Sequence, residues 1–242
     1  MTDQLLIGLL SFVWGTILLG LGGWKWTVPM LVFFILSSII SRIGKSRKTS
    51  AEGFFEKSSR RDAGQVIANG GIAGAITLIW HFAGTDSLYI AYLGAVAAAT
   101  ADTWATEIGT LSRSSPMLLT TLQRVEAGRS GAVSFMGTAA GLAGSAVVFF
   151  SGIWWLHDTF PGIAVFVVLG GIFGSTVDSF LGATVQAQYE CRICNKITER
   201  SEHCGKKSTL LKGVRQLNND AVNLLCTASG AASAWFAIEF IA

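Results

Sequence analysis

The sequence predicts an all-α protein: a polytopic membrane helix bundle of about seven transmembrane helices with its N-terminus in the cytoplasm. Three observations lead there. The chain is too apolar for water: of 242 residues, 51% are hydrophobic and 14% charged, against roughly a quarter charged in a soluble domain, and the mean hydropathy is +0.52. Apolar stretches recur at membrane-spanning length. The loops between them alternate in charge. The same composition excludes a disordered chain, which needs low hydrophobicity, and four cysteines do not suggest a disulfide scaffold.

A spanning helix needs about 20 mostly apolar residues. Seven stretches meet this, near residues 4–22, 26–43, 65–83, 88–109, 131–153, 162–185 and 219–241. The first lacks the basic lead and small-residue cleavage site of a secretory signal, so it reads as a helix. Seventeen of the eighteen Lys and Arg residues fall in segments 42–64, 110–130 and 186–218, and the exception is Lys25. Seven spans put these three segments on one side, and basic loops stay in the cytoplasm. The loops on the other side are short. The chain therefore reads as one membrane domain over 1–242, with 186–218 as its single sizeable cytoplasmic loop.

Small residues recur at helical spacing. The sixth stretch has Gly170, Gly174, Asp178, Gly182 and Gln186 on one face, and the fifth has Gly137, Gly141 and Ser145. In lipid such stripes bring helices close together, and packing is the expected role of most of them. Where they flank a carboxylate, they could instead open the backbone to a ligand.

Ionisable groups inside spans are costly and mark function. Asp102, Glu107 and Asp178 all fall in the cytoplasmic halves of their spans, Asp220 begins the last span, and Asp62 precedes the third. Hard oxygen donors of this kind suit Mg²⁺, which takes one or two carboxylates together with phosphates and water. Asp102, Glu107, Asp178 and Asp220 are the candidate ligands. Structural ion pairing is the competing reading for each, and Asp220 could equally be an N-cap.

Two basic segments look suited to phosphate. Arg60-Arg61-Asp62 leads into Gln65 and Asn69, and Thr120-Thr121-Leu122-Gln123-Arg124 precedes Gly128-Arg129-Ser130-Gly131. The second is expected to open the fifth span, where a helix N-terminus can present N–H groups to an anion. It is not a Walker A loop, and no protein-kinase signature set is present. Nothing points to nucleic acid. In the 186–218 loop, Cys191-x₂-Cys194 and His203-Cys204 offer three sulfurs and one imidazole, the donor set of a closed structural zinc site. The cytosol disfavours disulfides, although the adjacent His and Cys depart from the usual spaced pair. A free-thiol loop or redox pair are the alternatives.

The strings Arg61-Asp62-Ala63-Gly64-Gln65-Val66-Ile67-Ala68-Asn69-Gly70-Gly71, Ala101-Asp102-Thr103-Trp104-Ala105-Thr106-Glu107-Ile108-Gly109 and Asp178-Ser179-Phe180-Leu181-Gly182-Ala183-Thr184 resemble an integral-membrane family. So do Thr120-Thr121 with Ser130-Gly131-Ala132-Val133-Ser134, and the Cys191 to Cys204 loop ending in Asn219-Asp220-Ala221-Val222-Asn223. The family contains the plant phytyl-phosphate kinase and the transmembrane protein 19 group. The resemblance covers roughly residues 40–240, and the Asp-Thr-Trp-Ala-Thr-Glu string is its most specific part. It implies a kinase that converts a lipid-phase isoprenoid monophosphate to the diphosphate, using CTP or another nucleoside triphosphate and Mg²⁺, at the cytoplasmic membrane face. On that reading Asp102, Glu107 and Asp178 hold the metal and form the catalytic set. Arg61, Arg124, Arg129 and Ser130 grip phosphates, and Gln65 and Asn69 orient them. A polyprenol kinase, a lipid cytidylyltransferase-like enzyme and a membrane transporter are the competing assignments. A scaffold that binds a partner through the cysteine loop would leave the intramembrane acids unexplained.

Overall fold

The structure is a computed structural model that describes residues 3–43, 63–156 and 162–240. Its helices are α1 (Asp3–Arg42), α2 (Ala63–Ala83), α3 (Ser87–Gly109), α4 (Phe135–Gly152, extended by a 3₁₀ turn at Ile153–Trp155), α5 (Ile163–Thr184) and α6 (Asn219–Phe240). Five of them are long and apolar enough to cross a membrane: α1, α2, α4 with its 3₁₀ turn, α5 and α6. The protein is an integral-membrane helix bundle.

The first two predicted spans form one helical element broken at Gly23, whose φ of 66° and ψ of −160° lie where essentially only glycine goes. The two arms run in opposite senses. Along the first, Trp14 lies against Gly74 in the middle of α2, and Trp26 beyond the break meets Trp80 near the end of α2. The second arm then follows α3: Trp26 meets Tyr92, Trp104 Nε1 donates to Ser37 Oγ, and Ser41 Oγ donates to Glu107.

Pro29 sits inside the second arm and has no N–H to donate to the carbonyl of Lys25. The Tyr89 hydroxyl donates to that carbonyl instead, at 3.0 Å. Tyr92 donates in the same way to the Trp26 carbonyl one residue on.

Helix α3 is the centre of the bundle and touches all five others. Its run from Tyr89 to Ala101 is buried throughout. That explains its composition: a helix wrapped in protein needs small residues rather than lipid-facing bulk. The glycine stripes serve this packing. A Cβ on Gly94 would stand 2.5 Å from the Gly230 carbonyl, one on Gly230 2.5 Å from Ala98 Cβ, and one on Gly137 2.7 Å from the Ala105 carbonyl. Large apolar side chains point outward instead, among them Phe12, Phe34, Leu142, Phe150, Leu169, Phe173 and Phe236. Small residues inside and bulk outside is the arrangement expected in lipid.

The glycines beside Asp178 are filled as well. Gly174 faces Ala98 and the Cys226 carbonyl, and Gly182 faces the backbone of Gly131. They offer no backbone to a ligand, contrary to the sequence expectation.

The basic end of the bundle carries the short strands. Strands β1 (Met117–Leu118) and β2 (Ala132–Val133) form a hairpin before α4. Between α5 and α6 lie β3 (Gln188–Glu190), β4 (Ile197–Thr198), β5 (Glu202–His203), β6 (Lys206–Lys207) and β7 (Thr209–Lys212). Strand β3 is central between β4 and β7, and β5 pairs β6, all antiparallel. Lys212 Nζ donates to the Ala183 carbonyl at the end of α5, where a cation offsets the orphan carbonyls of the last turn. The neighbouring cation Arg129 and partial burial hold the Lys212 ammonium below its usual range, burial being the larger cause.

Candidate active site at the basic end of the bundle

The stretch from Thr103 to Gly109 is the less buried end of α3, and beside it lies a cavity of about 430 Å³. Helix α3 contributes Asp102, Thr103, Thr106 and Glu107, helix α5 contributes Ser175, Asp178 and Ser179, and helix α2 contributes Gln65 and Asn69. The β1–β2 loop adds Arg129 and Ser130, and the start of α6 adds Asn219 and Asn223.

Asp102 and Asp178 come from adjacent helices, and each places a carboxylate oxygen within 4.8 Å of the other and of Cys226 Sγ. Ser175 Oγ lies 3.5 Å from Asp102 Oδ1. Asp178 Oδ2 is buried with no hydrogen-bond partner among the described residues, and so is Gln186 Nε2 on the same cavity. A buried, unpartnered carboxylate oxygen is expensive unless a ligand completes it. Two hard carboxylates beside open space fit Mg²⁺, which keeps waters and shares substrate phosphates. Cys226 does not belong to that donor set; its thiol points to the Ala98 carbonyl at 3.8 Å.

The other predicted residues divide. Gln65, Asn69, Arg129, Ser130 and Glu107 all line the cavity. Glu107, however, stands apart from the Asp102–Asp178 pair and accepts the Ser41 hydroxyl at 2.7 Å. Arg124 does not reach the cavity: it is exposed, and its backbone bridges Met117. Asp220 is also outside the cavity lining, and it does not cap α6. Asn218 does that, its Oδ1 accepting from the Ala221 N–H at 3.1 Å. Arg61 lies outside the described residues.

The Gly-Arg-Ser-Gly turn is not at a helix N-terminus. Helix α4 starts only at Phe135, capped by Ser134 Oγ, which accepts from the Gly137 N–H at 3.1 Å. The turn is set instead by Gly131, whose φ of +75° and 2.3 Å clearance to the Ala183 nitrogen admit no side chain. It thus sits against the end of α5, carrying Arg129 and Ser130 to the cavity.

One lining residue was missed by the sequence reading. Glu199 follows β4, is almost fully buried, and accepts the Ser130 hydroxyl at 2.5 Å. In sequence it is one more acid in a charged loop.

A second cluster lies in the β3–β7 region. Cys191, Cys194, His203 and Cys204 place their ligand atoms within 4.8 Å of one another. N–H groups of Cys194 and Ile193 aimed at its sulfur hold the Cys191 thiol down to about 6, whereas desolvation and the sulfurs of Cys194 and Cys191 push Cys204 up to about 11.

Comparison with known proteins fits these features. The profile of the family described as integral membrane protein DUF92 matches residues 8–231. The chain belongs to this family. An uncharacterized membrane protein of Methanocaldococcus jannaschii is 33% identical over an alignment covering 91% of this chain and 79% of the relative. Protein PGR of Arabidopsis thaliana is 30% identical, covering 84% of this chain and 78% of the relative. An uncharacterized membrane protein of Synechocystis is 29% identical, over 74% and 70%. No solved structure matches the chain. The family match extends over both the carboxylate cavity and the cysteine cluster, so both belong to the family's matched region.

Proposed function

We propose that the protein is an isoprenoid monophosphate kinase, transferring the terminal phosphoryl group of CTP or another nucleoside triphosphate to a prenyl phosphate at the cytoplasmic face of the membrane. The observation that carries this reading is the meeting of Asp102 and Asp178, one oxygen of Asp178 left without a partner among the described residues, in a cavity that also holds Arg129, Asn69 and Gln65. A cavity with acids for a divalent cation and a guanidinium for phosphate suits two polyanions. Thr176 lines the cavity and is exposed on α5, and a prenyl chain bound beside it would extend into lipid. Eleven basic residues among those described, Arg42 with three in 110–130 and seven in 186–218, flank this end of the bundle; they support a cytoplasmic orientation and raise the local concentration of nucleotide.

The chemistry asks little of a base. The acceptor is already an anionic phosphate oxygen; it attacks the terminal phosphorus in line, the bond from that phosphorus to the bridging oxygen breaks, and the nucleoside diphosphate leaves. Catalysis then rests on positioning and charge neutralisation. Asp102 and Asp178 would hold Mg²⁺, which supplies charge neutralisation on the phosphates. Arg129 offsets charge on the transferred group, and Asn69 and Gln65 orient the phosphates.

The test is purified protein in detergent with γ-labelled CTP or ATP, Mg²⁺, and phytyl, farnesyl and geranylgeranyl monophosphates, with the parent alcohols alongside. Label should enter a diphosphate, and Asp102→Asn should lower kcat by about 10²–10³-fold or more while the helical circular-dichroism signal persists. Label entering only the alcohols would replace this reading with a polyprenol kinase, and full activity of Asp102→Asn would remove the carboxylate pair from the mechanism.

A further inference from the structure

The β3–β7 region is built from two tight turns that point at each other. In the first, the Asn195 N–H donates to the Cys191 carbonyl, the Cys191 N–H to the Lys196 carbonyl, and Asn195 takes a left-handed φ of 54°. The Ile193 N–H also points at Cys191 Sγ, at 3.4 Å. In the second, β5 and β6 are joined by Cys204 and Gly205, with φ of 53° and 73°.

That second turn resolves the difficulty of an adjacent His and Cys. Along an extended strand, neighbouring side chains point to opposite faces. Left-handed backbone at Cys204, uncommon for a residue with a Cβ, turns its sulfur back to the side of the His203 ring. His203 Nδ1 then lies 3.2 Å from Cys204 Sγ and 3.5 Å from Cys194 Sγ, and the two sulfurs are 3.9 Å apart. Zn–S bonds of about 2.3 Å and Zn–N bonds of about 2.0–2.1 Å, set tetrahedrally, give ligand separations of about 3.8 Å between sulfurs and about 3.6 Å from sulfur to nitrogen. These three edges match a tetrahedron of that size to within a few tenths of an ångström.

We propose that Cys191, Cys194, His203 and Cys204 form a closed structural zinc site, and that this site fastens the loop that carries Glu199 to the wall of the cavity. The link is short in sequence and direct in space. Cys191 follows β3; Cys194 leads within three residues into β4, which pairs β3; and Glu199 comes next, held by Ser130 of the β1–β2 loop. Four protein ligands leave no open position, so the ion supports the fold and takes no part in the chemistry. Three thiolates and a neutral imidazole would leave the site one negative charge in excess, and the ligands are flanked in sequence by the cations Arg192, Lys196, Lys206 and Lys207.

The role of Glu199 at the cavity rests on the kinase reading; the metal site does not. Full-length protein purified without chelator should contain one zinc per chain by mass spectrometry. Replacement with Co²⁺ should give the intense visible bands of tetrahedral cobalt together with thiolate charge transfer. Cys194→Ser should lose the metal, and trypsin should then cut the Arg- and Lys-rich 192–215 segment at least about tenfold faster, as local opening becomes easier. Cys226→Ser and Glu199→Gln should keep both zinc and protease resistance. A metal-free wild type, iron in place of zinc, an octahedral cobalt spectrum, or equal digestion of wild type and Cys194→Ser would each overturn the proposal. The wild-type zinc and cobalt measurements decide it even where Cys194→Ser fails to fold, and kinase failure with stoichiometric zinc would remove only the functional reading.

Discussion

The two ends of this bundle are built from opposite materials. At one end Trp26, Trp80, Tyr89 and Tyr92 pack ring against ring, with Trp26 centroids 5.0, 5.2 and 4.6 Å from the other three. Both tyrosine hydroxyls are spent on backbone carbonyls. Lys25 closes the surface there, 4.4 Å above the Tyr89 ring and 3.8 Å from Asp86. At the other end the same central helix turns to Asp102, Thr103, Thr106 and Glu107 around a cavity of about 430 Å³. One helix is thus an aromatic plug above and a polar wall below. A carrier must open its midplane site to both faces in turn. On the kinase reading proposed above, the chemistry takes place at the polar end alone.

The largest expected effects set these ends against each other. Trp26→Ala removes the hub of the plug and should destabilise the protein by about 3–5 kcal/mol, read as a lower Tm in detergent, while the folded fraction keeps its turnover. Asp178→Asn should do the reverse. It should lower kcat by about 10²–10³-fold and leave Tm unchanged or raised, because the amide can donate to Asp102 in place of an unpartnered carboxylate oxygen. If Trp26→Ala abolished turnover of folded protein, or Asp178→Asn unfolded the bundle, the division between a structural end and a chemical end would fail.

A smaller effect tests what lies between the ends. Gly230→Ala would bring a methyl group within about 2.5 Å of Ala98 Cβ and 2.6 Å of the Gly94 carbonyl. Overpacking of this kind costs about 1–3 kcal/mol. Cys226, one turn away on α6, faces the carboxylate pair, so the shift should also reach the cavity. The expected readout is a lower Tm together with a raised KM for the prenyl phosphate. An unchanged Tm would mean that α3 and α6 have slack the structure does not show.

What the sequence made legible follows from the membrane itself. Apolar runs located the helices to within a few residues, and the cost of a carboxylate in lipid singled out Asp102 and Asp178. The failures share a different cause. Glu199 is unremarkable in a charged loop until β4 carries it to Ser130. The sequence starts the fifth span four residues early because Ala132-Val133 reads as apolar helix but pairs as strand. Asp220 resembled a cap because Asp is a good one, yet the residue with the right backbone position is Asn218. In each case the deciding contact is between residues far apart in the chain or depends on a boundary shift of one to four positions, and neither is written into local composition.

The smallest effects concern two arginines that are five residues apart and look alike in sequence. Arg129 lines the cavity, presented by a turn that Gly131 presses against the end of α5. Arg124 is exposed beyond the cavity and engages Met117 only through backbone. Loss of a charged hydrogen bond to a phosphate is worth about 1.5–3 kcal/mol, so Arg129→Ala should raise KM for a phosphate substrate about 10–100-fold with a much smaller change in kcat. Arg124→Ala should alter KM less than about twofold, since loss of an exposed side chain with no partner among the described residues changes little. Measured side by side in one assay, the pair separates position from charge: each variant removes one positive charge from the same basic end. If both raised KM equally, and the rise vanished at high salt, diffuse attraction of the nucleotide would account for it. A large effect confined to Arg129 and persistent in salt requires a side chain at the phosphate.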